Sequence, residues 1–267
     1  MNDRSKSTYV CVITGASRGI GRATAEELTR RGATVVTLGR DPSRSTIACD
    51  LASFASIRTA AARILDRWPC IDLLVNNAGV QHMRRTVSAD GIEETLAVNH
   101  LAPFLLTRLL MPSLQTDAPT RVLTVSSSLA RWGRIDFDDL QHAGHYNGTH
   151  AYLQSKLANI MFTLSLARRL QGSSVSAVCV YPGLVVTDLL RERWWWRSRW
   201  LRPLWRAMFS SPNDAAQTVV AAASVPPTDD SCFTAGGRAV APPRRALDAA
   251  AQQRLWDDTV RLVGVDF

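Results

Sequence analysis

The feature that most constrains the fold of this chain is a regular alternation of short apolar runs with longer helical segments. Runs such as YVCVIT at 9–14 and RVLTV at 121–125 are rich in β-branched residues, which is typical of buried strands. The segments between such runs are longer, and several end at Gly or Pro, which stop helices. Strands that alternate with helices indicate a parallel sheet covered by helices on both faces.

This alternation predicts seven strands and six helices. The predicted strands are Tyr9–Thr14, Ala33–Leu38, Thr46–Cys49, Ile71–Val75, Arg121–Val125, Ser174–Val180 and a last one at Arg238–Ala241. The predicted helices are Ala23–Arg31, Ser53 to about Trp68, Asp90–Leu114, Tyr152–Leu170, Asn213–Ala223 and Ala246–Leu262. We find no internal repeat and no linker in the sequence, so we expect one domain over residues 1–267.

Composition excludes several classes of protein. With 46% hydrophobic and 20% charged residues, wholesale disorder is excluded. No apolar run approaches the roughly 18 residues that a membrane-spanning helix needs. The first 15 residues lack the apolar core of a secretory signal, so we expect a cytoplasmic protein. The five cysteines are scattered without a C-x-x-C pair, so neither a metal site nor a disulfide framework is predicted.

A glycine-rich loop lies between the first predicted strand and the first predicted helix. Its sequence TGASRGIG at 14–21 has the spacing G-x-x-x-G-x-G, a variant of the dinucleotide-binding fingerprint. Glycines let the backbone approach a pyrophosphate, and the following helix offers free N–H groups to it. A plain structural turn is the alternative. The candidate cofactor-binding residues here are Gly15, Ser17, Arg18, Gly19, Ile20 and Gly21.

The end of the second predicted strand indicates which dinucleotide would bind. Folds that bind NAD usually place an acidic residue there, which accepts a hydrogen bond from the ribose 2′-hydroxyl. This sequence has Gly39 and Arg40 instead, and Arg18 lies in the glycine loop. Two guanidinium groups suit a 2′-phosphate, so the residues favour NADP(H). The alternative is a pair of exposed arginines in a chain whose basic residues are nearly all Arg.

Tyr152 and Lys156 are the candidate catalytic pair. They are separated by four positions, so on a helix both point to one face. A cation beside a phenol favours the phenolate, and we expect Lys156 to lower the pKa of Tyr152 towards neutrality. A solvated helix face is the default reading of such a pair. However, Lys156 is the only lysine beyond residue 6, and Arg could not serve as a compact charge there.

Together these motifs resemble the short-chain dehydrogenase/reductase family, over about residues 8–267. Within that family, stretches such as ADGIEETLAVNHLAPFLLT are similar to the retinol dehydrogenase-like branch. The motifs that carry the resemblance are TGASRGIG at 14–21, Asp50-Leu51, NNAG at 76–79, Asn99 in VNH, Ser126-Ser127, Y-x-x-x-K at 152–156 and Pro182-Gly183 with Thr187.

The resemblance implies a role for each matching residue. Tyr152 would be the acid/base, Lys156 would lower its pKa and hold the nicotinamide ribose, and Ser127 would bind the substrate oxygen. Asn99 would hold a water in a proton relay. Serines 126 to 128 compete for the catalytic position, and the family pattern favours Ser127. The implied cofactor-binding residues further along the chain are Asp50, Leu51, Asn77, Ala78, Gly79, Tyr152, Lys156, Pro182, Gly183, Val185 and Thr187.

The resemblance also implies a fold and an activity. The expected fold is a doubly wound, Rossmann-type α/β sheet, with a cofactor-binding part at about 8–125 and a catalytic and substrate part at about 126–267. The expected activity is NADP(H)-dependent hydride transfer to or from a carbonyl or alcohol of a hydrophobic small molecule. The Arg/Ala-rich composition suggests a tailoring enzyme of bacterial specialised metabolism. The alternative is a non-catalytic NADP(H)-binding sensor or scaffold.

The sequence departs from the family pattern between its second and third predicted strands. Only residues 41–45 separate them, whereas a parallel crossover usually needs a dozen or more residues and a helix. We therefore expect a shortened crossover, reduced to a turn, that leaves the adenine end of the site open and part of one sheet face uncovered.

A segment rich in Trp and Arg, at 191–206, follows the last cofactor motif. It is expected to belong to a substrate lid at about 188–212, and a peripheral membrane contact is the main alternative. Trp and Arg also suit stacked nucleobases, and the net charge is +8, but no nucleic-acid partner is expected. The sequence leaves open whether the protein forms a homo-oligomer.

Overall fold

The computed structural model describes residues 9–183, 211–224, 233–235 and 238–267 of the chain. Within these ranges it has eight strands: β1 (Val10–Thr14), β2 (Thr34–Gly39), β3 (Ile47–Ala48), β4 (Leu73–Asn76), β5 (Thr120–Val125), β6 (Val175–Tyr181), β7 (Phe233–Ala235) and β8 (Arg238–Ala239). They form one sheet in the order β3-β2-β1-β4-β5-β6-β7-β8. Strands β1 to β7 are parallel, and β8 pairs antiparallel with β7.

Helices cover both faces of this sheet. They are α1 (Gly19–Arg30), α2 (Phe54–Arg67), α3 (Glu94–Leu96), α4 (Ala102–Leu114), α5 (Gly148–Arg169), α6 (Pro212–Ser224) and α7 (Ala249–Val263). A π-helical turn, Ala97–Leu101, joins α3 to α4. Helices α1 and α6 pack on one face, and α2, α4 and α5 on the other, with α7 against α5. Of the helices in the described ranges, none has the length and apolar character needed to cross a membrane.

The central strands are buried on both sides, which explains why they read as continuous apolar runs. Val12 and Leu74 pack towards α2 and α4, whereas the next residues, Ile13 and Val75, pack towards α1 and α6. All four side chains are fully buried. The strand order reverses between β1 and β4, so the sheet is doubly wound and has its switch point there. The predicted Rossmann-type α/β fold is confirmed.

The shortened crossover after β2 is also confirmed. The chain turns through Asp41 and Arg44, where the Arg44 N–H donates to the Asp41 carbonyl. It then returns as β3, parallel to β2, with Leu38 opposite Ile47. The Thr46 hydroxyl accepts from the Thr37 N–H at 3.1 Å and supplements the short ladder. Thr37 lies on the face that the missing helix would cover, and it is only partly buried.

Helix α5 begins four residues before the predicted start, at Gly148 rather than Tyr152. The Asn147 side chain caps it by accepting from the N–H groups of Thr149 and His150. A Cβ on Gly148 would lie 2.0 Å from the His82 carbonyl oxygen, so only glycine allows this helix end to meet the segment after β4. Tyr152 therefore lies on the second turn of a well-anchored helix.

The C-terminal region also differs from the prediction. Strand β7 was not predicted from the sequence, and it separates β6 from the short β8. The expected helix Ala246–Leu262 is divided into a 3-10 turn, Arg244–Leu247, and α7. Asp248 lies between them because its side chain caps α7 by accepting from the Ala251 N–H at 3.0 Å.

Candidate active site

A cleft of about 510 Å³ lies at the carboxyl ends of the parallel strands. The cleft brings together nearly all the site residues that were predicted from the sequence. These are Gly15, Ser17, Arg18, Gly19, Ile20, Gly21, Arg40, Asp50, Leu51, Asn77, Ala78, Gly79, Ser127, Tyr152, Lys156, Pro182 and Gly183. Asn99 is fully buried behind the cleft wall. Val185, Thr187 and the Trp/Arg segment at 191–206 lie outside the described residues, so the predictions for them stand as made.

The glycine loop fits closely against the segment after β4. Gly15 has a φ of 70°, and a Cβ on it would lie 2.9 Å from the Ala78 Cα. A Cβ on Gly21 would lie 2.3 Å from Asn77 Nδ2 and 2.4 Å from the Gly15 carbonyl oxygen. Asn77 Nδ2 donates to the carbonyls of Thr14 and Gly15 and so holds the loop. Any side chain at Gly15 or Gly21 would displace this wall.

The first turn of α1 faces the same cleft. In the described part of the chain, no side-chain hydrogen bond caps this helix at its N-cap residue, Arg18. Its first N–H groups are therefore available to an anion, and the helix dipole favours negative charge at this end. The close glycine loop and the uncapped helix start fit the pyrophosphate of a dinucleotide.

The adenine end of the cleft carries positive charge and lacks an acid on β2. Arg18 and Arg40 line the cleft and are exposed. A Cβ on Gly39 would lie 2.5 Å from Ser45 Oγ, so an Asp or Glu at this position would require Ser45 to move. The short 41–45 connection places Ser45 there. The guanidinium groups at this end can bind an anionic group of a ligand.

Helix α5 presents Tyr152 and Lys156 on one face towards the cleft. Lys156 is buried, and its Nζ lies 5.8 Å from the centroid of the Tyr152 ring. Nζ donates to the Val125 carbonyl oxygen at 3.2 Å. It also lies 3.3 Å from where a Cβ would be on Gly79, so the glycine of NNAG leaves room for the lysine head group.

The direction of the pKa shift at Tyr152 corrects the sequence-based prediction. Burial raises the pKa of Tyr152, and a hydrogen bond with Ser127 works in the lowering direction. Burial also lowers the pKa of Lys156 to about 8. The prediction that the pKa of Tyr152 is lowered is therefore wrong. Tyr152 and Lys156 are both shielded from water, and Lys156 Nζ donates to the Val125 carbonyl oxygen. The phenol is therefore protonated at neutral pH.

Hydrogen bonding separates the competing serines. The Ser126 hydroxyl donates to the Lys156 carbonyl oxygen at 2.8 Å and is buried. Ser127 interacts with Tyr152, and its Oγ accepts from the Leu129 N–H at 3.2 Å. Ser127 is thus the serine with its hydroxyl at the phenol, whereas Ser126 ties β5 to α5.

Asn99 lies in the π-helical turn and is fully engaged through its side chain. Its Oδ1 accepts from the Val80 N–H at 2.7 Å, and its Nδ2 donates to the Val80 carbonyl and to Ser155 Oγ, both at 2.9 Å. The amide therefore fixes the segment that follows NNAG. A role for Asn99 in holding a water stays a prediction, and the side-chain amide is already in use.

Several cleft residues were not predicted from the sequence. Gln81 and Glu94 add polar groups, while Val80, Val98 and Leu129 add apolar surface. Gln81 Nε2 donates to the Gly148 carbonyl at 3.3 Å, one helical turn before Tyr152. No local pattern marked these residues, because their position in the cleft depends on tertiary contacts. In the described ranges, no group of three or more His, Cys, Asp or Glu side chains could hold a metal ion.

Comparison with known proteins assigns the family. The family model described as "short chain dehydrogenase" matches residues 9–198. The chain belongs to the short-chain dehydrogenase family. It is 38% identical to retinol dehydrogenase 13 of Homo sapiens over 279 residues, which cover 96% of this chain and 84% of that protein. This relative confirms the predicted resemblance to the retinol dehydrogenase-like branch.

A second relative and a solved structure support the same assignment. The chain is 37% identical over 291 residues to retinol dehydrogenase 14 of Mus musculus, covering 95% of this chain and 85% of that protein. A crystal structure of an uncharacterised protein from Mycobacterium paratuberculosis superposes with a TM-score of 0.78 at 33% identity. That match covers 97% of this chain and 94% of the other. The similarity to these proteins therefore extends over nearly the whole chain.

Proposed function

We propose that this short-chain dehydrogenase interconverts a carbonyl group and an alcohol on a hydrophobic small molecule, with NADP(H) as cofactor. One observation carries the proposal: the phenol of Tyr152 interacts with Ser127 beside the buried Lys156, in the cleft that also holds the glycine loop. A proton donor next to a dinucleotide cradle is the arrangement that carbonyl reduction needs.

Residues that line the cleft would bind the successive parts of the cofactor. The α1 N–H groups would bind the pyrophosphate, Asp50 the adenine, and Asn77 to Gly79 the adenosine ribose. Lys156 would hold the nicotinamide ribose, since its Nζ reaches the cleft between Tyr152 and Gly79. When bound, the reduced cofactor supplies a hydride to the carbonyl carbon, and the oxidised one accepts a hydride from the alcohol.

Tyr152 and Ser127 would do the proton chemistry. In reduction, the Tyr152 O–H donates its proton to the carbonyl oxygen as negative charge develops there, and the Ser127 hydroxyl donates a hydrogen bond to the same oxygen. The raised pKa of Tyr152 keeps the phenol protonated for this step. In oxidation the same phenol must first lose its proton, and the Lys156 ammonium would stabilise the phenolate.

The preference for NADP(H) over NAD(H) is proposed on the charge of the adenine end. Arg18 and Arg40 line it, and Ser45 occupies the space in which an acidic residue at position 39 would need to fit. Guanidinium groups bind a phosphate with charge-assisted hydrogen bonds. The neutral 2′-hydroxyl of NAD(H) would find no carboxylate on β2.

The apolar lining supports a hydrophobic substrate. Val80, Val98 and Leu129 line the cleft that also holds Tyr152 and Ser127. Relatives of this chain are named retinol dehydrogenases, so a retinoid aldehyde or alcohol is one member of the substrate class to be tried. The role as a bacterial tailoring enzyme, suggested by composition, stays a prediction.

Replacement of Tyr152 by Phe tests the proposal. We expect Y152F to lose at least about a hundredfold in kcat with aldehydes and ketones, because general acid catalysis is removed. NADPH binding, followed by fluorescence, should change little because the ring stays in place. Turnover at the wild-type rate would refute the mechanism. If the wild type binds NADPH but reduces no member of a broad aldehyde and ketone panel, a cofactor-sensing protein becomes the better assignment.

A further inference from the structure

The cleft contains a carboxylate that the proposed chemistry does not use. Glu94, the first residue of α3, lines the cleft, as do the apolar residues Val80 and Val98. Its neighbour Glu93 has a structural task, since its carboxylate caps α3 by accepting from the N–H groups of Thr95 and Leu96. Glu94 has no such bonds within the described residues.

Glu94 lies close to the end of α5 that carries Tyr152. Its Oε2 is 3.5 Å from His82 Nε2. The carbonyl of His82 touches Gly148, the first residue of α5, where a Cβ would lie only 2.0 Å from it. Tyr152 follows Gly148 by one helical turn, and both Glu94 and Tyr152 line the same cleft. A molecule that is held at the phenol and extends along the cleft towards the start of α5 would therefore approach Glu94.

The Glu94 and His82 side chains leave hydrogen-bonding capacity unused. Glu94 Oε2 lies 3.5 Å from His82 Nε2, and this Nε2 is buried without a hydrogen bond within the described residues. A purely apolar substrate would cover the carboxylate and leave it unpaired, which is unfavourable. A hydroxyl or amino group could instead donate to Glu94.

We propose that Glu94 is a specificity-determining residue that binds a hydrogen-bond donor on the substrate, at a distance from the reacting carbonyl. The preferred substrates are then hydrophobic ketones or aldehydes that carry a second polar group, a hydroxyl or an amine. This inference rests on the proposed function, since it assumes that a carbonyl compound is held at Tyr152.

The test uses pairs of ketones that differ only in the distal group. One series consists of methyl ketones of increasing chain length with a terminal tertiary hydroxyl, which has no carbinol hydrogen and cannot be oxidised by NADP⁺, and the other of the same ketones without the hydroxyl. Binding is measured by calorimetry to the protein saturated with NADP⁺, a complex that cannot turn a ketone over, and KM is measured with NADPH. At the best chain length, we expect the hydroxylated ketone to bind at least about tenfold more tightly.

Replacement of Glu94 identifies the group responsible. In E94L the affinity ratio between the hydroxylated and plain ketones should fall towards one, and E94Q, whose amide can still accept, should keep part of it. E26L is the matched control, because Glu26 is an exposed glutamate on α1, paired with Arg22 and remote from the cleft. E26L should keep the wild-type ratio, and if E94L does not fold, the partial fall expected in E94Q is the comparison that tests the role of Glu94.

The possible results separate this inference from the proposed function. A wild-type ratio near one at every chain length, or an unchanged ratio in E94L and E94Q, would overturn the role of Glu94 while leaving the carbonyl reductase proposal intact. If neither series binds to the NADP⁺ complex and neither is reduced, the proposed function fails and this inference fails with it.

Discussion

The Ser126 hydroxyl donates a hydrogen bond to the main-chain carbonyl of Lys156, at 2.8 Å. This contact links the end of β5 to the helix that carries both Lys156 and Tyr152. The next residue, Ser127, interacts with the Tyr152 side chain instead. Two adjacent serines therefore have different tasks, one in holding the helix and one at the reacting atoms.

This difference predicts opposite consequences for two alanine variants. S127A should lose about 10²- to 10³-fold in kcat, the usual cost of removing one donor to a developing oxyanion, with little change in stability. S126A should lose about 1 kcal/mol of stability from its buried hydrogen bond. Its kcat should fall much less than that of S127A. Urea unfolding and steady-state kinetics of both variants check this, and a larger kcat loss in S126A would reverse the assignment.

The sequence predicted the sheet well because the central strands are buried on both faces. Val12, Ile13, Leu74 and Val75 are all inaccessible, so their strands read as continuous apolar runs between glycines and prolines. The glycine loop could be recognised for a similar reason. The backbone at Gly21 lies so close to Asn77 that a residue with a Cβ would not fit there. These are local or near-local constraints, and a single sequence records them.

Glu94 could not be predicted because nothing local separates it from Glu93. Glu94 lines the cleft and is partly buried, whereas Glu93 is fully buried and caps α3. The π-helical turn Ala97–Leu101 follows at once, and one inserted residue rotates the helix face by about 100°. Simple helical periodicity therefore gives the wrong phase on one side of this turn. The early start of α5 was missed for a similar reason, because Gly148 is fixed by its contact with His82.

Cofactor preference should respond to the charge at Arg40. R40D removes a guanidinium that would bind the 2′-phosphate and places a carboxylate beside it. A charge-assisted hydrogen bond is worth about 1.5–3 kcal/mol, so the NADPH/NADH ratio of kcat/KM should fall at least about tenfold. R44D is the control, with the same change in charge on the exposed 41–45 turn, where Arg44 pairs with Asp41. Equal effects of R40D and R44D would point to general electrostatics rather than a contact.

The two directions of the reaction should depend differently on pH. Alcohol oxidation needs the Tyr152 phenolate, and burial raises the pKa of that phenol, so kcat for oxidation should rise from neutral pH to about pH 8 and then level off, because the uncharged Lys156 no longer stabilises the phenolate. Ketone reduction needs the protonated phenol and should be flat near neutrality. It should decline above about pH 8, where Lys156, whose pKa burial lowers to about 8, loses its charge. A flat oxidation profile from pH 7 to 9 would contradict the assignment of Tyr152 as the base.

His100 gives a prediction about stability rather than catalysis. It follows Asn99 in the π-helical turn, is 1% exposed, and its Nε2 lies 2.9 Å from Thr259 Oγ1 of α7. Burial lowers the pKa of His100 to about 4, against an ordinary value of 6.5, while an interaction with Asn159 opposes this shift. The unfolded chain therefore binds a proton in this interval that the folded protein does not. Stability should fall as the pH drops from 6.5 to 4.

The size of this effect follows from the shift. Each pKa unit corresponds to about 1.4 kcal/mol, so His100 should account for a loss on the order of 3 kcal/mol over the interval. H100Q keeps a polar group for Thr259 but cannot be protonated, and its unfolding free energy should depend less on pH than that of the wild type. H145Q is the control, because His145 is exposed. Urea unfolding at a series of pH values gives the three slopes, and equal slopes for H100Q and the wild type would show that His100 is not the titrating group.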